Sequence, residues 1–459
     1  MHAIEKILAK AAGKDKVQKG EIVNCKIDFA EINDLYLQTV YSFYEMGGTW
    51  VWDNEKIAFV FDHYSPAPTI KAAQNHKEMR TFVKEQNLKY HFDINKGVCH
   101  QVMPEAGIVW PGMILVATDS HTTTHGAFGA FGTGIGATDM ATVLISGELW
   151  FRVPEIINIE INGQLESGVF AKDVILYILG KLKADVAVYK AIEFSGSYVE
   201  GLGVAERMTI CNMAVEMGAK TAYMKPNNKV LDYLRSKTDK EFVIQETNAD
   251  FEFLEVYVFD VSELSPQLAV PHSVDNVYPI GEVKKVKVDQ AFIGSCTGGR
   301  LEDLEQAYKI LHGKKVHADT RLIIIPASTE VYQNAMKLGY VQSLISAGAT
   351  FASPGCGPCL GAHEGVLSAG VSVILAESFA RIFFRNAINL ALPLMVCPGI
   401  SEKVKDEDIL EVNIEAGTVI NKTTGETLQG EKTSEYVMNI LEHGGIKPLF
   451  KKKTEEMNK

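Results

Sequence analysis

Apolar residues follow two alternating patterns along the first 155 positions. Short runs rich in β-branched residues predict strands at 56–61 and 113–117, and helical spacing of apolar residues predicts a helix at 70–86. Strands that alternate with helices are typical of α/β domains with a mostly parallel sheet. The first 20 residues predict a charged helix followed by a tether.

A second block of the same kind covers residues 156–283. It opens with a strand pattern at 156–161, and Asn162-Gly163 supplies a turn signal directly after it. The spacing of apolar residues then predicts helices at 172–183 and 206–217.

Two further blocks, 284–370 and 371–459, complete the chain. The first keeps the α/β pattern. The second consists of short strands around turns and a helix, followed by a basic, solvated tail at 451–453. The predicted strands of these blocks lie at 286–293, 321–326, 409–420 and 426–429, and the helix lies at 433–443.

Composition and charge narrow the class of protein. The 459 residues are 46% hydrophobic and 22% charged, as in soluble globular proteins, so a disordered or fibrous chain is excluded. A formal charge of −12 disfavours nucleic acid and membrane surfaces as partners. The sequence shows neither a signal peptide nor an apolar run long enough to span a membrane, so we expect a soluble, cytoplasmic protein.

Seven cysteines are too sparse for a disulfide scaffold, and only Cys356 and Cys359 are close together. They lie in the glycine-rich segment 354–361, and Cys296 lies in a second such segment, 294–300. Glycine lets the backbone approach a bulky group closely. Three thiolates in such loops suit an iron–sulfur cluster that keeps one iron open as a Lewis acid for substrate.

Three histidines lie beside carboxylates or just after predicted strands. Asp62 and His63 follow the strand at 56–61, Asp119 and His121 follow the next one, and His100 lies between the two pairs. Residues at strand ends of α/β sheets face the ligand crevice. A carboxylate beside an imidazole fixes its tautomer and stabilises the imidazolium, which is what a proton-transferring histidine needs.

Other chemistries remain open at this point. Cys356, Cys359 and His363 could hold zinc, and the same Cys-x-x-Cys could be a redox pair. A serine hydrolase is disfavoured because Ser120 lacks the flanking glycines of a nucleophile elbow. The glycine-rich stretch 129–136 lacks the spacing of a dinucleotide-binding loop.

Six segments occur in a consistent order between about residues 21 and 370. They are Phe61-Asp-His, Gly97-Val-Cys-His-Gln, Val116-Ala-Thr-Asp-Ser-His-Thr, Thr209-Ile-Cys-Asn-Met-Ala-Val-Glu216, Ile293-Gly-Ser-Cys-Thr and Gly355-Cys-Gly-Pro-Cys-Leu-Gly. Together they resemble the aconitase superfamily, and within it the large subunits of the 3-isopropylmalate dehydratase type. By this resemblance Cys296, Cys356 and Cys359 hold a [4Fe-4S] cluster, with Asn212 beside it.

The resemblance also implies roles in acid–base chemistry and substrate binding. His63, next to Asp62, matches the histidine that handles the departing hydroxyl. The two supporting pairs are His100 with Asp119 and His121 with Glu216, and the candidate substrate contacts are Asn33, Ser120 and Arg300.

The last block departs from a large subunit and resembles the small, swivelling subunit of the same enzymes. The large subunit's arginine motif and the small subunit's serine loop are both missing, and Arg381 and Arg385 are expected to brace the fold. The fold implied is α/β. Three α/β/α domains at 1–155, 156–283 and a shortened 284–370 surround a cleft, and a partial swivelling β/α domain follows at 371–459.

The implied activity is a hydro-lyase that dehydrates and rehydrates a hydroxy di- or tricarboxylic acid, most like 3-isopropylmalate in leucine biosynthesis. Homoaconitase-like or dimethylmalate dehydratase-like chemistry stays open, as does a catalytically impaired relative that binds a cluster or RNA. Because the serine base and the carboxylate-binding arginines are missing, we expect a separate small subunit as a partner and little activity from this chain alone.

Overall fold

A computed structural model describes residues 1–360, 373–377, 392–405 and 408–442. The expectations stated for His363, Arg381, Arg385 and the basic tail at 451–453 lie outside the described residues.

The chain divides into two compact units, Met1–Gly365 and Val366–Lys459. The first region of the first unit alternates strands with helices. Its elements are α1 (Ala3–Ala11), β1 (Ile22–Lys26), β2 (Phe29–Asn33), α2 (Leu37–Glu45), β3 (Ile57–Val60), α3 (Ile70–Glu85), β4 (Tyr90–Phe92), α4 (Cys99–Glu105), β5 (Ile114–Ala117), β6 (Phe131–Gly134), α5 (Ala137–Ser146) and β7 (Glu148–Arg152). Strands β4, β3, β2, β5 and β6 form one parallel sheet in that order, and β1 pairs with β7 in an antiparallel ladder.

Both faces of this five-stranded sheet are buried. Ile57 and Phe59 of β3 belong to one apolar cluster, together with residues of α1, α2, α3 and α5. Ala58 and Val60 of the same strand belong to a second cluster, which continues into α4 and the next sheet. Burial on both faces explains why the strands read as continuous apolar runs in the sequence.

The second region builds a four-stranded parallel sheet in the order β10-β9-β8-β11, and β12 and β13 form a short antiparallel pair. Its elements are β8 (Ile156–Asn162), α6 (Ala171–Leu182), β9 (Ala191–Ser195), α7 (Ser197–Gly201), α8 (Val204–Asn212), β10 (Thr221–Tyr223), α9 (Asn228–Lys237), β11 (Glu255–Asp260), β12 (Gln267–Ala269) and β13 (Val277–Pro279).

The third region has a three-stranded parallel sheet in the order β14-β15-β16, with its own apolar core. Its elements are β14 (Gln290–Gly294), α10 (Leu301–Leu311), β15 (Arg321–Ile325), α11 (Thr329–Lys337), α12 (Tyr340–Ala347), β16 (Ala349–Phe351) and α13 (Gly357–Leu360).

The described part of the second unit has a parallel pair, β17 with β18, and an antiparallel meander of β19, β20 and β21. A small core forms around Met395, Cys397, Val419 and Leu428. The elements are β17 (Ile374–Ala376), β18 (Leu394–Val396), α14 (Ile400–Lys403), β19 (Leu410–Asn413), β20 (Thr418–Asn421), β21 (Thr427–Gln429) and α15 (Glu435–Glu442).

The predicted α/β class is confirmed, and most differences lie at element ends. The expected N-terminal helix does not lie free on a tether, because its apolar residues Ile4, Ile7 and Leu8 are buried in the core. The helix predicted at 206–217 tightens after α8 into a 3-10 segment, Met213–Met217, which Gly218 ends in a left-handed conformation. None of the helices in the described ranges is long and apolar enough to cross a membrane.

Candidate active site

The candidate site begins where β3, β2 and β5, three neighbouring parallel strands, end. Asp34 directly follows β2, Asp62 and His63 follow β3, and Asp119 follows β5. Because parallel strands present their carboxyl ends at one edge of the sheet, these side chains meet there.

His63 is held between two carboxylates. Its Nδ1 donates to Asp62 Oδ1 at 2.7 Å, and its Nε2 lies 3.4 Å from Asp119 Oδ2. The side chain is buried, and the backbone N–H of His63 donates to Asp34 Oδ1 at 2.9 Å. Burial disfavours the charged imidazole, but the charge of Asp62 and the hydrogen bonds to Asp119 and Asp62 outweigh it and raise the pKa of His63 well above its ordinary value.

Asp119 is the centre of the group. Its Oδ1 accepts hydrogen bonds from His100 Nε2 at 3.0 Å and from the backbone N–H of His121 at 2.8 Å. Burial of Asp119 disfavours its ionised form. The charge and hydrogen bond of His100, together with the hydrogen bonds from His121 and His63, outweigh burial and hold the pKa of Asp119 well below its ordinary value. Asp119 is therefore an ionised carboxylate shared by three histidines.

His121 forms the second predicted pair. Its Nε2 lies 3.2 Å from Glu216 Oε1, and the exposed Ser120 has its Oγ 3.4 Å from His121 Nδ1. Burial would lower the pKa of His121, but Asp119, Glu216 and the nearby Cys296 raise it well above its ordinary value. The structure thus brings together all three histidine–carboxylate pairs named from the sequence. We call Asp62, His63, His100, Asp119, His121 and Glu216 the acid–base array.

The cysteines lie at the carboxyl edge of the third sheet. Cys296 follows β14, and Cys356 and Cys359 follow β16, the strand on the other side of β15. A direct contact joins this edge to the array, because the backbone N–H of Cys356 donates to the Asp62 carbonyl at 2.6 Å. A Cβ on Gly355 would lie 2.6 Å from that same carbonyl oxygen, so this approach requires glycine.

The sulfur atoms differ in their surroundings. Cys296 is buried, Cys356 is half-buried and Cys359 is exposed. A hydrogen bond from Cys356 lowers the pKa of the Cys359 thiol to about 6, with further help from a hydrogen bond donated by Ser295.

The donor set fits a polynuclear group better than a single ion. Within the described residues, the groups with ligand atoms within 4.8 Å of one another do not include the three cysteines. A tetrahedral zinc ion bound by all three cysteines, with Zn–S bonds of about 2.3 Å, would need the three sulfurs closer together than that. The alternative zinc site with His363 lies outside the described residues. Two buried polar atoms, Asn212 Oδ1 and Arg300 Nη2, have no hydrogen-bond partner in the described part of the chain, and Arg300 lies close enough to Cys296 for the thiol to affect its pKa.

Two candidate substrate contacts are buried behind the array. Asn33 donates to the Thr118 carbonyl at 3.4 Å and accepts from the backbone N–H of Leu35. Arg300 directly precedes α10 and is 3% exposed, and its guanidinium donates to Gln101 Oε1 and Thr209 Oγ1. Both side chains brace neighbouring segments through internal hydrogen bonds.

Sequence reasoning missed three polar groups beside the array. His76 of α3 donates to Asp34 Oδ2 at 2.8 Å, and Lys172 of α6 donates to Thr297 Oγ1 at 3.0 Å, next to Cys296. Glu31 is buried inside β2. Only Glu31 left a signal in the sequence, since it is the single charged residue of a strand that is apolar except for Asn33 at its end.

Comparisons with known proteins identify the family of the chain. Residues 49–391 match the aconitase family (aconitate hydratase). The chain is 49% identical over 375 residues to the probable methanogen homoaconitase large subunit of Methanothermobacter thermautotrophicus, covering 81% of this chain and 88% of that protein. It is 51% identical over 367 residues to 3-isopropylmalate dehydratase large subunit 1 of Methanopyrus kandleri, covering 80% and 88%.

Among solved structures, aconitase X of Thermococcus kodakaraensis matches with a TM-score of 0.47 and 13% identity, covering 86% of this chain and 93% of that one. The sequence matches decide the family, and they confirm the resemblance found in the six segments. The chain therefore belongs to the aconitase family of hydro-lyases.

Proposed function

We propose that this chain is the large subunit of a hydro-lyase that isomerises a hydroxy di- or tricarboxylic acid, most like 3-isopropylmalate, by removing and returning water. The observation that carries the proposal is the 2.6 Å hydrogen bond from Cys356 to Asp62, which joins the cysteine edge to the acid–base array. The names of the most similar relatives support the same substrate class.

The cysteine edge is the proposed cofactor site. Cys296, Cys356 and Cys359 would hold a [4Fe-4S] cluster, and Asn212 Oδ1 and Arg300 Nη2, which have no hydrogen-bond partner among the described residues, are proposed to face it. When bound through three cysteines, such a cluster supplies an open iron that polarises a substrate hydroxyl.

His63 is the proposed general acid. Its raised pKa keeps both ring nitrogens protonated at neutral pH. Asp62 fixes Nδ1 at 2.7 Å, so the proton at Nε2, the longer contact at 3.4 Å, is the one available to the departing hydroxyl. Burial of the imidazole keeps bulk water from competing for that proton.

The other members of the array orient this proton. Asp119 receives hydrogen bonds from His100 and from the backbone of His121, so its second oxygen is fixed beside His63 Nε2. His121, paired with Glu216, adds a second positive charge next to Cys296, where an anionic substrate would need to bind. The array as a whole holds the proton donor in place for a hydroxyl that takes up the proton and leaves as water.

We assign the missing groups to a partner. The serine base and the carboxylate-binding arginines expected from the resemblance have no matching motif in this sequence, so a separate small subunit is proposed to supply them. The experiment measures hydration of the unsaturated acid by the reconstituted chain, with and without an added small subunit. The loss of the acid's ultraviolet absorbance reports the reaction.

We expect low activity from the chain alone and a partial increase with the small subunit. Full activity without a partner would overturn the assignment of the missing groups. The proposed function would be overturned if the chain carried the cluster but, with the small subunit present, hydrated neither isopropylmaleate nor homoaconitate. Homoaconitate is included because one relative at 49% identity is a probable homoaconitase large subunit.

A further inference from the structure

Glu31 lies on β2, the central strand of the first sheet, beneath the acid–base array. The strand register places it opposite Ala58 of β3 on one side and Ala117 of β5 on the other. The side chain is 1% exposed. Both neighbouring side chains are small, so the carboxyl group is enclosed by the sheet and by the residues that pack on this face.

The alternation of side chains between the two faces of β2 shows which residues pack over Glu31. Glu31 shares a face of β2 with Phe29, which belongs to the apolar cluster that contains Ala58, Ala117 and Cys99 of α4. The titratable groups that interact with Glu31 come from four elements, and they are Asp34 after β2, Asp62 and His63 after β3, Asp119 after β5, and Cys99 of α4.

Neither carboxyl oxygen of Glu31 has a hydrogen-bond partner in the described part of the chain. An ionised carboxylate that is buried and unpaired is so unfavourable that the group takes up a proton instead. Burial, and then the charges of Asp62 and Asp119, raise the pKa of Glu31 well above its ordinary value.

Asp34 lies three residues further along the chain, directly after β2, and its carboxyl group is in the opposite situation. It is equally buried, but its oxygens accept from the backbone of His63 and Tyr64 and from His76 Nε2. These hydrogen bonds outweigh burial and lower the pKa of Asp34. The described part of the chain therefore provides partners for the carboxylate of Asp34 and provides none for that of Glu31.

We propose that Glu31 is a positioning residue that remains a neutral carboxylic acid at neutral pH, so that it adds no negative charge to the carboxyl groups of Asp34, Asp62 and Asp119 that lie around His63 at this sheet edge. A further negative charge facing His63 would tighten its hold on the proton and make it a weaker acid. The catalytic meaning of this inference rests on the proposed function, whereas the protonation state of Glu31 does not.

The test is the pH dependence of unfolding of the full chain, compared between the wild type and Glu31→Gln. Above the ordinary glutamate pKa, the unfolded wild type has lost the proton that the folded wild type keeps, so wild-type stability falls as pH rises. Glu31→Gln has no such proton. The ratio of the two unfolding equilibrium constants should therefore change by about tenfold per pH unit in favour of Glu31→Gln, up to the folded pKa of Glu31.

The matched control is Glu45→Gln, at an exposed glutamate at the end of α2, which should show no such slope. Glu31→Met, which is neutral and of similar volume, serves as a second variant in case the amide disturbs packing. Infrared spectroscopy provides an independent signature, since the wild type should show the carbonyl band of a protonated carboxyl group at neutral pH and both Glu31 variants should lose it.

A difference in stability that does not vary with pH, or one that favours the wild type as pH rises, would overturn the proposal. An infrared spectrum in which the Glu31 variants lose only an ionised carboxylate band would do the same. Neither measurement uses turnover, so an inactive chain would count against the proposed function and leave the assignment of Glu31 intact.

Discussion

The acid–base array and the cysteine edge hold their reactive groups in place in different ways. In the array, each histidine is fixed by a carboxylate at 2.7 to 3.2 Å, and most of the group is buried. At the cysteine edge, position comes from the backbone, through strand ends and the contact of Cys356 with Asp62, while Cys359 is exposed. The protein alone preorganises the array, whereas we propose that the thiols are ligands for a group that completes the site.

The largest effect is expected when the cysteine edge is broken. Cys359→Ser removes one of three proposed cluster ligands, so reconstitution with iron and sulfide should fail and turnover should vanish. The array should keep its structure, because its hydrogen bonds do not involve that side chain. The control is Cys25→Ala, a cysteine buried in β1, which should retain both colour and turnover.

Replacement of the proposed general acid, His63, should impair the array and leave the cysteine edge intact. His63→Asn should lower turnover by roughly 10²–10⁴-fold, the usual range for a general acid, without changing iron content. His91→Asn, at a half-buried histidine on β4, should leave turnover unchanged. Intact turnover in His63→Asn would mean that the Asp62–His63 pair has only a structural role.

The junction between the two regions can be disturbed by one methyl group. In Gly355→Ala the new Cβ would lie 2.6 Å from the Asp62 carbonyl, so the cysteine loop must shift away from the array. A misplacement on the scale of 1 Å costs about 10²-fold in turnover. Gly136→Ala, where nothing lies within 4 Å, is the matched control. Equal turnover in the two variants would show that the junction does not set the geometry.

The smallest effect is a shift in pH dependence. Because the pKa of His63 is raised, the acid form persists through neutral pH, and turnover should fall only as pH rises through that higher folded pKa. The contribution of His63 to stability has the same sign, since it is complete below the unfolded pKa of about 6.5 and is lost on the alkaline side. A pH–rate profile whose alkaline limb is centred at the ordinary histidine value would contradict this.

The sequence predicts the array better than its support. Asp62, His63 and Asp119 follow short apolar strands, so the rule that parallel strands end at one edge suffices to bring them together. The order of strands, with β2 between β3 and β5, is a tertiary property that no local pattern contains. For that reason the role of Asp34 in holding His63, and its hydrogen bond from His76, could not be predicted.

Burial of polar groups is the other limit. Arg300 and Asn33 carry groups suited to a carboxylate ligand, but the structure places them in internal hydrogen bonds that depend on contacts with distant segments, such as Gln101 and Thr118. Glu31 stands out as a charge in a mostly apolar segment, yet only the structure shows that it lies between Ala58 and Ala117 and has no hydrogen-bond partner among the described residues.

The central claim is that three cysteines and the acid–base array together form one iron–sulfur hydro-lyase site, and metal analysis of the anaerobically purified wild type tests it most directly. The account predicts a brown protein with about four iron and four sulfide per chain once reconstituted, and loss of both in Cys359→Ser. A colourless wild type that contains one zinc per chain would contradict it.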